Sequence, residues 1–200
     1  MAGGSIFDTD NGDLHMSYQD DFLKAVERTS RFNLHPVLAF SGISGQIMDA
    51  ARVNDLNKIL APVFLGIHSY EQLVGECMPI HLKARPVLEK WLGCSVYYTL
   101  GWIDDGSSNG LFWFDDEIIA EKLAAGHKGE TLNIHAWLTL PTMEIIDLTL
   151  TTTLCLLQGR KEGEGGVIVK KADELTGLSY KPMLIGETYL HNIGVIKSIT

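Results

Sequence analysis

The sequence predicts an α+β domain, on three observations. Apolar residues recur at helical spacing mostly in the first half of the chain, as in Ser17–Thr29 and Cys77–Leu92. Alternation of apolar and polar residues concentrates in the second half, in Leu132–Leu140 and Glu144–Thr152. Helices thus come first and strands later, which argues against a regular βαβ alternation. The 200 residues, 46% hydrophobic and 20% charged, suffice for one domain with a proper core, on a prior of ~150 residues per domain.

Residues 1–15 read as a mobile acidic terminus, and residues 16–200 as one domain with helices added at its N-terminal side. In that terminus Asp8, Asp10 and Asp13 approach a calcium loop, but its glycine is misplaced and Gln19 stands where a glutamate is required. Ser17 opens a helix with Tyr18, Phe22, Ala25, Val26 and Thr29 on one face. Pro36–Phe40 is a short apolar segment, and Ser41–Gly45 reads as a turn before a helix near Gln46–Leu60. Ala61–Gly66 is a strand or an apolar connection. Cys77–Leu92 is a helix with Cys77, Ile80, Ala84, Leu88 and Trp91 on one face, Pro79 in its first turn and Gly93 as its cap. Pro86 removes the hydrogen bond to Leu82 and predicts a kink there. Ser95–Ile103 is a strand, Asp104–Gly110 a loop, and Asp115–Ala125 a helix ended by Gly126. Pro141-Thr142-Met143 joins Leu132–Leu140 to Glu144–Thr152 as a hairpin. A loop at Gly159–Gly166 precedes strands at Val167–Lys171 and Pro182–Leu190.

Charge and composition exclude several classes. A net charge of −9 makes an extended polyanion such as nucleic acid a poor partner. The longest apolar run, around Ile145–Leu157, is broken by Asp147 and four threonines, so no membrane span is expected. The first residues have neither the basic start nor the apolar stretch of a secretory signal. Three cysteines cannot all pair, which points to free thiols and a cytoplasmic setting. No two of the seven histidines stand three to five residues apart, and Cys-x-x-Cys and glycine-rich phosphate loops are absent. No metal and no nucleotide cofactor are therefore expected.

The hairpin carries the chemistry. One parity presents Ile134, Ala136, Leu138, Leu140, Ile146, Leu148 and Leu150, a core face. The other presents Asn133, His135, Trp137, Thr139, Asp147, Thr149 and Thr151. If Leu140 pairs with Glu144, His135 lies diagonal to Asp147 on one face, within interaction range. An aspartate so placed fixes a histidine's tautomer and stabilises the imidazolium. Cys77, at a helix start after Gly75 and Glu76, is the best nucleophile, because a helix N-terminus and an imidazolium both favour a thiolate. Cys94 and Cys155 sit in apolar, strand-like contexts and read as core thiols.

Gly75-Glu76-Cys77, the helix to Leu92-Gly93, the strand through Gly101-Trp102-Ile103, His135-Ala136-Trp137 and Ile146-Asp147-Leu148-Thr149 together resemble the transglutaminase-like branch of the papain-like cysteine enzymes. The resemblance spans about Gly75 to Thr149, with Asp104–Glu130 as an insertion. It implies a nucleophile helix packed on an antiparallel sheet, with Cys77 as nucleophile, His135 as base and Asp147 as orienter. Glu76, Trp102 and Trp137 are its candidate substrate-binding residues, Trp137 also as a shield over the imidazole.

The expected activity is acyl transfer through a thioester on a peptide, protein or small amide or ester. Water as acceptor gives a peptidase or amidase, and an amine gives a transferase. The alternatives are a binding or scaffold protein that keeps the fold without turnover, favoured if Pro86 displaces Cys77, and a small oligomer-forming protein with a buried polar hairpin face.

Overall fold

The structure, a computed structural model, describes residues 17–34 and 42–196. The expectations for residues 1–15 and for Pro36–Phe40 fall outside the described residues. The protein is α+β: the described residues form six helices and a five-stranded antiparallel sheet of order β4-β3-β2-β1-β5. The strands are β1 (Tyr97–Asp104), β2 (His135–Thr139), β3 (Glu144–Asp147), β4 (Ile168–Lys171) and β5 (Ser179–Ile185). The helices are α1 (Tyr18–Arg31), α2 (Ala50–Leu60), α3 (Cys77–Leu92), α4 (Asp116–Ala125), α5 (Leu150–Leu157) and α6 (Thr188–Asn192). No helix among the described residues is long and apolar enough to cross a membrane.

The alternation along the strands divides the core in two. Tyr98, Leu100, Ala136, Leu138 and Ile146 pack with the buried stripe of α3, Ile80, Ala84 and Leu88. Tyr97, Ile103, Trp137, Ile145 and Tyr180 pack with Tyr18, Phe22 and Ala25 of α1. A reciprocal cap between Ser17 and Asp20 starts α1, and its Thr29 hydroxyl accepts the Ile185 N–H of β5 at 2.9 Å. Bulky residues on both parities of the strands therefore need a helix on each side.

Helix α3 has the bounds its periodicity predicts and runs through Pro86 without a break. Pro86 lies on its exposed side, where water can satisfy the Leu82 carbonyl that the ring leaves unpaired. Gly93 ends it in the left-handed region at φ 68°. Cys77 thus keeps its place at the helix start.

Several boundaries differ from expectation, each for a local reason. Helix α2 starts at Ala50, not near Gln46, because the buried Glu144 carboxylate takes the N–H groups of Ile47 and Met48 at 2.6 and 2.9 Å. Ala61–Phe64 is a 3₁₀ turn. The strand read as Glu144–Thr152 stops at Asp147, whose carboxylate accepts the Thr149 and Leu150 N–H groups and turns the chain into α5. The one read as Pro182–Leu190 stops at Ile185, where Gly186 (φ 89°) leads into α6. Arg85 of α3 grips Glu187 at that corner with two bonds of 2.6 and 2.9 Å.

Gly101 sits at a bulge in the β1–β5 pairing, where an added Cβ would stand 2.1 Å from the Lys181 carbonyl and 2.7 Å from the Trp137 ring. Gly101→Ala is expected to cost about 3 kcal/mol of stability, since a rigid backbone carbonyl cannot yield as a flexible side chain would. Urea unfolding followed by circular dichroism measures this, and an unchanged midpoint would contradict so close a packing.

Candidate functional site

Three elements meet at one end of the sheet. His135 opens β2 and Asp147 closes β3, so the antiparallel pairing sets them side by side. Leu138 faces Ile146, and the Leu140 N–H donates to the Glu144 carbonyl, which is the register the hairpin reading requires. His135 Nε2 lies 2.6 Å from Asp147 Oδ2. Cys77 opens α3 next to this pair, its Sγ 3.8 Å from the Ile134 carbonyl oxygen. Cys77 and His135 line one cleft, and Cys77 is among the groups that push the His135 pKa up. With Nε2 committed to Asp147, Nδ1 is the nitrogen left for the thiol. The three residues that sequence singled out are thus brought together.

The Asp147 carboxylate is fully buried and saturated with donors. Oδ2 takes the His135 Nε2–H and the Tyr180 hydroxyl at 2.8 Å, while Oδ1 takes the Thr149 and Leu150 N–H groups, both at 3.0 Å. Burial by itself would raise its pKa; the His135 charge and hydrogen bond and the backbone donors hold it well below 3.8. Burial alone would lower the pKa of His135. The Asp147 charge and hydrogen bond, with a contribution from Cys77, instead hold it well above 6.5. Asp147 and His135 form a buried carboxylate–imidazolium pair.

A second histidine, which the sequence reading did not pick out, completes the cluster. His81, one turn along α3 from Cys77, is fully buried. Its Nδ1 lies 2.6 Å from the Cys77 carbonyl oxygen, and its Nε2 receives the Leu148 N–H at 2.9 Å. A carbonyl only accepts and an N–H only donates, so His81 is the neutral Nδ1–H tautomer. Burial lowers its pKa to about 4, against the pull of Asp147, whose Oδ1 stands 3.6 Å from Nε2. The missed signal was the spacing itself: His81 follows Cys77 by four residues and so shares its helix face.

Cys77 and His135 open onto a cleft of about 450 Å³, lined mostly by apolar side chains including Val74, Met78, Phe112, Leu132 and Leu157. Phe112, held at φ 62°, stacks on His135 with ring centroids 5.1 Å apart. None of the three candidate substrate-binding residues lines this cleft. Trp137 is fully buried, its indole N–H donates to Tyr18 Oη at 2.9 Å, and it stacks beneath His135 at 6.0 Å, so it shields the imidazole and does not face the cleft. Trp102 packs on Trp113, centroids 4.6 Å apart, outside the cleft lining. Glu76 is the exposed residue before α3 and is also outside it.

All three cysteines are free thiols. Cys155 is buried as expected, but within a helix, where its Sγ–H donates to the Glu162 carbonyl at 3.0 Å. Cys94 is only half-buried, contrary to expectation, because it lies in the turn between α3 and β1. Burial still pushes its thiol pKa up. Among the described residues no three His, Cys, Asp or Glu side chains are grouped as metal ligands.

The two histidines bias stability against pH in opposite directions. The folded pKa of His81 is depressed, so its contribution is lost as pH falls from about 6.5 towards 4. That of His135 is raised, so its contribution is complete below about 6.5 and is lost as pH rises through the folded value. Stability is expected to peak near pH 6.5 and fall on both sides, each proton supplying at most about 1.4 kcal/mol per pH unit. Urea midpoints across pH 4–9 measure this, and a maximum displaced to pH 8 or above would contradict the assigned protonation states.

No protein-family model, no curated protein and no solved structure matches the chain.

Proposed function

We propose that the protein is a cysteine-dependent acyl-transfer enzyme with a transglutaminase-like, papain-like arrangement of its site. The observation that carries the reading is a thiol at a helix start beside an imidazole whose far nitrogen is held at 2.6 Å by a buried carboxylate. This grouping supports an activated nucleophile, with a base beside the thiol and a third group that orients the base.

His135 carries the proton that Cys77 gives up. The Cys77 sulfur attacks the carbonyl carbon of an amide or ester, a C–S bond forms, and the carbonyl electron pair moves to oxygen. Of the first backbone groups of α3, the N–H of Cys77 and of Met78 are the available donors for that oxyanion, since Pro79 has none. Nδ1–H of His135 then protonates the leaving amine or alcohol as its bond to carbon breaks, leaving a thioester. Water, deprotonated by His135, attacks the thioester and expels the Cys77 sulfur. Hydrolysis is favoured over transfer because water is always present. The apolar cleft suits an uncharged acyl portion, from a peptide, a protein or a small amide or ester.

Iodoacetamide at pH 6 is expected to alkylate Cys77 well before Cys94 and Cys155, read by peptide mass spectrometry. Asp147→Asn is expected to slow that reaction about 10- to 100-fold. The amide N–H₂ would face His135 Nε2 and turn it into an acceptor, which places the remaining proton on Nδ1, where it can no longer receive the proton of the thiol. A wild-type Cys77 no faster than the other thiols would leave a binding or scaffold role. A folded Asp147→Asn variant that reacts at the wild-type rate would remove Asp147 from the site.

A further inference from the structure

We propose that His81 is a positioning residue for the Cys77 site: a neutral imidazole that ties the nucleophile's own backbone to the strand end carrying Asp147, and whose protonation loosens that tie. The inference rests on the acyl-transfer reading above and deepens it, since it concerns the regulation of the same site.

The geometry is specific. Cys77 and Asp147 belong to different elements, α3 and β3, and the catalytic distance depends on how these are docked. The Cys77 thiol itself makes only a long contact, 3.8 Å, with the strand side. His81 spans the gap with two short hydrogen bonds to backbone atoms, one to the Cys77 carbonyl and one from the N–H of Leu148, the residue after Asp147. Backbone partners cannot rotate away, so the ring fixes the first turn of α3 against the end of β3. Without it the Leu148 N–H would be left buried with no acceptor, a costly condition that the chain relieves by shifting.

The same contacts make the clamp sensitive to acid. The titratable groups that face His81 are Asp147 of β3 at 3.6 Å and His135 of β2, its ring edge-on at a centroid distance of 6.4 Å; on its own helix it meets the Cys77 backbone carbonyl. A proton on Nε2 removes the acceptor of the Leu148 N–H. It also places a second cation beside the carboxylate that compensates the His135 imidazolium. Both changes act against the Cys77–His135 pair at once.

The test compares His81→Gln, His81→Asn and His81→Leu with wild type, reading the rate of Cys77 alkylation by iodoacetamide from pH 3.5 to 8, with circular dichroism to check folding. The carboxamide of Gln reaches the place of Nε2 and supplies an acceptor for Leu148, whereas that of Asn reaches the place of Nδ1 and supplies a donor for Cys77. Neither titrates. Gln is expected to keep the rate at pH 7 within about threefold of wild type, and Leu to lose at least about tenfold, a difference that a merely space-filling role would not produce. As pH falls through about 4 the wild-type rate should show a drop that the Gln variant lacks.

A folded Leu variant with the wild-type rate and pH profile would overturn the inference while leaving the acyl-transfer reading intact. If the Leu variant does not fold, the Gln and Asn pair decides: an acid limb identical to wild type in both would overturn it. A wild-type Cys77 with no selective reactivity would overturn both readings together.

Discussion

The carboxylate of Asp147 is the constraint on which the site and its surroundings depend. An unpaired carboxylate in a position with no solvent exposure would cost several kcal/mol, so the fold has to bring donors to it. They arrive from three places: the imidazole of His135 on β2, the hydroxyl of Tyr180 on β5, and the N–H groups of Thr149 and Leu150 at the start of α5. The same oxygens therefore orient the imidazole, end β3, begin α5 and anchor β5. This is why the chain changes from strand to helix at Asp147 although Leu148, Thr149, Leu150 and Thr151 continue the alternation of a strand. The carboxylate offers the backbone N–H groups a better partner than another strand would.

Behind the imidazole lies a layer that sets its orientation. Trp137 stacks under His135 and is fixed in turn by its N–H on Tyr18 Oη, while that hydroxyl is shared with Thr139, and Thr139 with Thr99, at 2.8 and 2.9 Å. Tyr180 closes on the edge of Trp137 at a centroid distance of 4.9 Å. Helix α1 thus reaches the site indirectly: it delivers Tyr18 to a ladder of hydroxyl groups running across β1 and β2. On the cleft side Phe112 stacks over the same imidazole, so His135 is held between two aromatic faces. Rings on both sides limit rotation about the side chain, and Asp147 fixes what rotation remains.

What the sequence made legible follows from which interactions are local. The periodicity of α3 and its cap at Gly93 depend on neighbours along one helix, and its predicted bounds agree with those observed. The pairing of Leu140 with Glu144 depends on a short turn, and with it came the side-by-side placement of His135 and Asp147. Illegible features depend on partners distant in sequence. The late start of α2 is set by Glu144, nearly a hundred positions away, which holds Ile47 and Met48. The resemblance implies a substrate-binding Trp137, yet α1 covers that strand face and makes the tryptophan a buried support. The spacing of His81 from Cys77 places it on the nucleophile's helix face, but its partners are the backbone of Cys77 and Leu148, which residue type does not reveal.

Two imidazoles lie near one carboxylate in opposite charge states, and the cause is the direction of the hydrogen bonds around them. His135 points a nitrogen at Asp147 Oδ2 at 2.6 Å and so shares its proton with an anion. His81 stands 3.6 Å from Oδ1 and has the Leu148 N–H aimed at that same nitrogen, which therefore keeps its lone pair. Among these three groups the charge balances: one carboxylate, one imidazolium and one neutral ring sum to zero. Protonating both rings would leave a buried excess of positive charge, and protonating neither would leave the carboxylate uncompensated. The extra proton of the cluster thus sits on His135, the ring that shares a cleft with Cys77. Environment thus separates two chemically identical groups into a proton carrier and a brace, as it separates paired acids in other sites.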